Sequence, residues 1–263
     1  MNVNYVAGYF QNATFGALGF SIKTLGFGDI PVTTNESPDG TGEMFSPTFL
    51  TLGATYSRAM TNKIFFGASV KLVSEKIMRE SATGVAFDFG LRYDTGMGIK
   101  GAVCLKNIGT NMAFDGSDLE VFTSDISDRP DAEGENTRIP LAAFDMPTLF
   151  EIGLSYDYKV NEQNGITVMG SFMNDNYALD EYRVGLEYSF NNLVFLRGSY
   201  QTAYDADNEK FVSADKDDFL WGPSFGAGLN LKLGPSMRLS LDYAYRVTEI
   251  FDDNQWFTLR FNF

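Results

Sequence analysis

The 263-residue sequence contains no histidine. That removes the commonest general base and the commonest metal ligand, and with them any hydrolytic triad built on an imidazole. Its single cysteine, Cys104, cannot form an internal disulfide, so cysteine usage says nothing about compartment. Positive charge is scarce: 20 Lys and Arg face 34 Asp and Glu, a net −14. Nucleic acid needs a basic surface and is excluded as a partner. No basic n-region, apolar h-region or cleavage site follows Met1. The longest uncharged run, residues 5–22, contains Gln11, Asn12, Thr14 and three glycines, which does not suit a spanning helix. Two strands meeting at Gln11 and Asn12 fit it better. No enzymatic activity, cofactor or metal site is expected.

What the chain has instead is glycine (26), phenylalanine (24) and tyrosine (13), distributed with a period of two. In residues 85–93, Val85, Phe87, Phe89, Leu91 and Tyr93 fall on one face. Ala86, Asp88, Gly90 and Arg92 fall on the other. Tyr182, Val184, Leu186, Tyr188 and Phe190 likewise oppose Arg183, Gly185, Glu187 and Ser189, and Leu239, Leu241, Tyr243 and Tyr245 oppose Ser240, Asp242, Ala244 and Arg246. The last stretch, W-F-T-L-R-F-N-F, sets Phe257, Leu259, Phe261 and Phe263 against Thr258, Arg260 and Asn262. Repeated along the whole chain, the alternation predicts about thirteen strands. One such strand suits a soluble sandwich or a membrane barrel equally.

The connections separate these alternatives. Short links at 11–12, 61–62, 95–96, 161–164, 191–192 and 234–235 alternate with links at 24–43, 79–82, 109–147, 174–180, 203–218 and 248–254, most of them long and polar. Short periplasmic turns and longer outer loops give that order in an outer-membrane barrel, whereas a Greek-key sandwich has no reason to keep it. Charge is also nearly absent from the central apolar-face positions, where one charge would cost about 2–4 kcal/mol at mid-membrane. The fold expected is therefore all-β: a single transmembrane antiparallel up-and-down β-barrel over residues 1–263, in the bacterial outer membrane. Thirteen strands present of fourteen are expected, because single-chain bacterial barrels normally have an even number. One strand and a signal peptide are expected upstream of Met1. Residues 256–263, with Trp256, Phe257, Leu259, Phe261 and Phe263, are expected to carry the insertion signal.

Several stretches resemble the PorV/PorQ family, barrels similar to the FadL long-chain fatty-acid transporters. They are L-G-F-G-D-I-P-V-T from Leu25, D-G-T-G-E-M-F from Asp39, L-G-A-T-Y-S-R from Leu52, E-S-A-T-G-V-A-F-D-F-G-L-R-Y-D-T-G from Glu80 and N-I-G-T-N-M-A-F-D-G from Asn107. The match is dense over residues 13–116 and looser beyond. The resemblance implies a Bacteroidota-type outer-membrane barrel that binds secreted cargo or surface partner proteins in type IX-like protein secretion. The competing expectation is a FadL-like transporter of hydrophobic or amphipathic small molecules such as long-chain fatty acids.

Candidate sites follow from charge. The acidic 109–147 stretch offers Asp115, Asp118, Glu120, Asp125, Asp128 and Asp131 for partner proteins. The polar strand faces offer Lys71, Asp88, Arg92, Lys100 and Arg183 as lumen-lining groups, together with Glu187, Arg197, Asp242, Arg246 and Arg260. These would either pair across strands, as in Lys71 with Asp88 or Asp242 with Arg260, or line a path for a lipid-like ligand. Outer-membrane lipid and lipopolysaccharide are the expected surroundings of the apolar faces. The literal G-x-G-x-x-G at 96–101 precedes a strand and reads as a hairpin turn, not a dinucleotide site. Residues 205–209 lack the glycine and closing glutamate of a calcium loop. Cys104 reads as a small space-filler.

Overall fold

The computed structural model describes residues 2–123, 135–206, 208–212, 219–234, 237–248 and 252–262. Among these, thirteen long strands form where the sequence alternates. They are β1 (Asn2–Asn12), β2 (Gly16–Gly26), β3 (Thr48–Ala59), β4 (Ile64–Ile77), β5 (Glu80–Asp94), β6 (Ile99–Gly109) and β7 (Leu149–Lys159). Then come β8 (Asn164–Asp175), β9 (Asp180–Phe190), β10 (Val194–Asp205), β11 (Trp221–Lys232), β12 (Arg238–Thr248) and β13 (Asn254–Asn262). Hydrogen bonding follows chain order from β1 to β13 without a crossover. The up-and-down antiparallel sheet and its strand count are those expected from the alternation.

The apolar faces are bare. Phe87, Phe89, Leu91 and Tyr93 of β5 stand exposed, while Ala82 and Ala86 on the opposite face are fully covered. A soluble sheet would bury the phenylalanines and expose the alanines; here the order is reversed, as lipid requires. On β13, Phe257 is 81% exposed.

Turn chemistry sets the hairpins, and it moves two expected boundaries. β1 runs on to Asn12, so the first tip is Ala13–Thr14–Phe15, not Gln11–Asn12. The Asn12 side chain accepts the Thr14 amide at 2.8 Å, a local turn that a neighbouring glycine completes. Gly16 has φ 104° and its α-carbon faces the Ser57 carbonyl too closely for any side chain. The link expected at 79–82 is a two-residue turn, Met78–Arg79, with Met78 at φ 53°. β5 starts early because Glu80 and Ser81 gain a partner: Asp115–Gly116 pairs with them. The tip at Asn191 and Asn192 has both residues left-handed, as a tight hairpin demands. Gly96 and Gly98, at φ 77° and 94°, lie in the turn between β5 and β6, so the G-x-G-x-x-G string is a hairpin.

The chain divides into two compact units. The first comprises Met1–Arg58, Phe66–Phe89 and Lys106–Pro147. Its buried cluster is Ala82, Ala86, Met112 and Met146, with Val73, Phe114 and Phe144 packed against it. The stretch expected to be a wholly irregular outer loop is thus partly folded. Met112 bridges to Phe144, and Asp115–Gly116 adds to β5. A turn of 3-10 helix spans Ser117–Leu119, and Glu120–Thr123 pairs with Glu135–Arg138. Small residues on β5 make this possible: a Cβ at Gly84 would collide with the Met112 and Met146 side chains. The second unit comprises Ala59–Phe65, Gly90–Leu105 and Thr148–Phe263. It buries Ala203, Val212 and Phe219, with Leu179 and Trp221 alongside.

If the bare faces meet hydrocarbon, a charge there is costly. Phe87, near the middle of β5, is the test: Phe87→Arg should lower folding stability in vesicles by about 2–4 kcal/mol. Equilibrium urea titration after vesicle refolding measures it. A loss under about 1 kcal/mol would mean that Phe87 does not sit at membrane depth.

Candidate functional site

The polar face of the first unit lines a cavity of about 550 Å³. Alternation places Ser21 and Lys23 of β2, Thr51 and Thr55 of β3, and Ser69, Lys71, Val73 and Glu75 of β4 on it. One part of the lining is polar. Thr55 and Ser69 share a hydroxyl hydrogen bond of 2.7 Å across β3 and β4. Lys71 Nζ lies 2.6 Å from Asp88, as the sequence predicts, with both side chains about one-fifth exposed.

Asn107 completes this group. Its backbone is left-handed (φ 59°), a conformation Asn tolerates better than most residues. That turn aims its amide N–H at Asp88 (2.8 Å), lets its side-chain oxygen accept from Lys71, and has its side-chain NH₂ donate to the Pro147 carbonyl at 2.7 Å. The ion pair therefore also anchors both ends of the stretch that joins β6 to β7, from Asn107 to Pro147, the inner segment of the fold.

The other part of the lining is apolar. Leu25 and Phe49 come from the strands, and Met112, Phe144 and Met146 from the inner segment. The methionines were not singled out from the sequence. The signal available was the run of small residues at alternate positions of β5, Ala82, Gly84 and Ala86, which leaves room for something to pack there.

The remaining lumen candidates lie in the second unit, mostly in ion pairs. Lys100 meets Asp157 at 2.5 Å. Arg92 stacks on the Phe65 ring at 4.5 Å and stands 3.9 Å from Asp94. Arg183 reaches Glu181 at 2.6 Å and Glu151 at 3.5 Å. Arg197 joins Glu187 and Asp242, each at 2.6 Å. The expected pairing of Asp242 with Arg260 is therefore corrected. Asp242 opposes Thr258 in register, and Arg197 reaches it from β10 because the intervening strand offers only Gly228. A Cβ at Gly228 would come within 2.6 Å of Asp242 Oδ1. Arg260 has no ion pair among the described residues. Arg246 lies between the rings of Trp221 (5.1 Å) and Trp256 (5.3 Å) and donates to Ser224. Trp256 thus sits on the polar face, apart from Phe257, Leu259 and Phe261 on the apolar one, while Phe263 lies outside the described residues.

Of the acidic partner candidates, Asp125, Asp128 and Asp131 lie outside the described residues. Arg138 bridges Asp115 (3.0 Å) and Glu120 (3.5 Å), and Arg79 pairs with Asp118. The Asp118 amide donates to Glu80 at 2.6 Å, which ties the segment to the start of β5. Asp205 accepts from the amide and side chain of Asn208 as a turn former. Past the end of β12, the Tyr245 hydroxyl and then the Thr248 amide donate to Asp253, holding its carboxyl below the usual carboxylate range.

The up-and-down antiparallel sheet, with one bare apolar face and one charged, paired face, defines a FadL-like β-barrel fold. The solved structures it is similar to include the toluene transporter TodX of Pseudomonas putida. The TM-score is 0.54 at 13% identity, over 98% of this chain and 80% of that one. The TodX deltaS2S3 mutant, a monoaromatic hydrocarbon channel, aligns with a TM-score of 0.56 at 13% identity, over 99% and 81%. At such identity the likeness is one of fold. No protein-family model matches the chain, and no curated protein matches it.

The Lys71–Asp88 pair is expected to couple. A double-mutant cycle with Lys71→Met and Asp88→Asn should give an interaction energy of about 0.5–3 kcal/mol by urea unfolding. Additive losses would remove the pair from any structural role.

Proposed function

We propose that the protein is a non-enzymatic outer-membrane transporter that passes hydrophobic or amphipathic small molecules. The observation that carries this reading is the 550 Å³ cavity, whose lining changes from hydroxyls and an ion pair to methionine and phenylalanine. Ligand cavities typically span about 300–1,000 Å³ and are mostly apolar with a few placed polar groups. A dry apolar cavity of about 150 Å³ already accepts benzene, so this one has room for a ring with a substituent or for a folded alkyl chain. The toluene transporter TodX, which shares the fold, supports the same reading. Long-chain fatty acids remain within the substrate class, and outer-membrane lipid and lipopolysaccharide would surround the bare faces.

The second reading is a PorV/PorQ-type role in type IX-like secretion, with cargo or surface proteins as partners. One observation favours it: two of the stretches that carry the resemblance fold together. Ile30–Pro31 pairs with Met44–Phe45, and Val32 and Thr41 extend the hairpin through hydrogen bonds of 2.9 and 2.8 Å. Such a folded loop could present a surface to a protein. Against it, Asp115, Asp118 and Glu120 are already engaged by Arg138 and Arg79.

Filling the cavity separates the two. Thr51→Trp and Ser69→Trp should each cut uptake of labelled toluene and oleate into proteoliposomes by roughly tenfold, since an indole occupies much of a ligand-sized cavity. Uptake equal to wild type in both variants would remove the cavity from the transport path. Unchanged uptake together with lost capture of signal-bearing cargo would favour the secretion reading.

A further inference from the structure

Four charged side chains line the cavity: Lys23, Lys71, Glu75 and Asp88. Two of them neutralise each other, since Lys71 and Asp88 are paired and Asn107 closes the group. Lys23 is exposed, so water screens it. Glu75 is different. It is half-buried, and among the described residues it takes part in no hydrogen bond or ion pair. On its own strand face Val73 comes next, and Lys71 is four residues away, about 13 Å at the rise of a strand. The apolar part of the lining, Leu25, Phe49, Met112 and Met146, shares the cavity with it.

A carboxylate held beside apolar walls loses hydration without gaining a partner, which is costly unless something pairs with it. A ligand ammonium supplies both a counter-charge and N–H donors, and such charge-assisted bonds are about twice as strong as neutral ones. A ligand carboxylate meets the opposite situation, a like charge in a confined space.

We propose that the cavity selects cationic amphiphiles: molecules with an apolar, ring-sized body and a protonated amine. The ammonium donates to the Glu75 carboxylate while the body lies against Phe49, Met112 and Met146. This rests on the transporter reading and names its substrate class. Neutral hydrocarbons fit the walls but leave Glu75 unpaired; simple acids fit the walls and oppose it.

The test compares three molecules with one ring and different heads: 2-phenylethylamine, phenylacetate and toluene. Binding to the folded full chain in detergent is measured by calorimetry at neutral pH, and uptake is measured in proteoliposomes. Wild type should bind the amine at least roughly tenfold more tightly than the acid, the equivalent of one charge-assisted contact. Glu75→Gln, which keeps the shape, should bring that ratio close to one, and Glu75→Asp should retain part of it. Heat-modifiability on gels verifies that each variant is folded. Toluene uptake with no amine preference in wild type would overturn the inference and leave the transporter reading standing. An amine preference that survives Glu75→Gln would overturn the assignment to Glu75. No uptake of any of the three by a folded barrel would overturn both.

Discussion

Hydrocarbon offers no hydrogen bonds, so every backbone amide and carbonyl at membrane depth must find a partner within the protein. Along the path from β1 to β13 that partner is a strand adjacent in the order of the long strands. That single requirement fixes the period of two, because a paired strand must send successive side chains to opposite faces. It then divides the chemistry. Phe87, Phe89 and Leu91 can stand bare because their surroundings are as apolar as they are. Asp88 and Arg92, one residue away, must be accommodated on the other face.

The charged face has its own constraint. Carboxylates and guanidinium groups there are partly removed from water, and an unpaired one is expensive. The strands meet this in three ways. Neighbours pair directly, as Lys71 does with Asp88 and Lys100 with Asp157. Pairs also reach across an intervening strand where a glycine clears the way, as Gly228 does between Arg197 and Asp242. Arg246 uses aromatic faces instead, lying between Trp221 and Trp256. All three remove long side chains from the space they would otherwise fill.

How much of this was legible in the sequence follows from the range of each interaction. Alternation is local, and so thirteen strands and most turns could be read directly; Asn161, Asn191 and Gly96 mark turns by their own chemistry. Adjacent pairing needs one register, and Lys71 with Asp88 was within reach. Asp242 was not, because its partner depends on two registers and on the glycine between them. The early start of β5 was hidden for a similar reason, since its partner Asp115–Gly116 arrives from 35 residues further on in an acidic stretch that looks like loop. Met112 and Met146 carry no periodic signal at all. Only the small residues Ala82, Gly84 and Ala86 hinted that the polar face of β5 would be covered.

That covering decides what the cavity can do. Without the inner segment, the polar face of β2 to β5 would present hydroxyls and charges to water, a surface with little affinity for a hydrocarbon. Met112, Phe144 and Met146 convert part of it into an apolar wall, and Asn107 fastens that wall to the Lys71–Asp88 pair. Glu75, half-buried, lines the same cavity. In an open, wet face its charge would be solvated and would discriminate little between ligands. Beside methionine and phenylalanine it becomes the one lining charge that is both half-buried and unpaired among the described residues. Selectivity in such a site comes from the group left unsatisfied more than from the area of apolar contact, because apolar walls accept any body of suitable size.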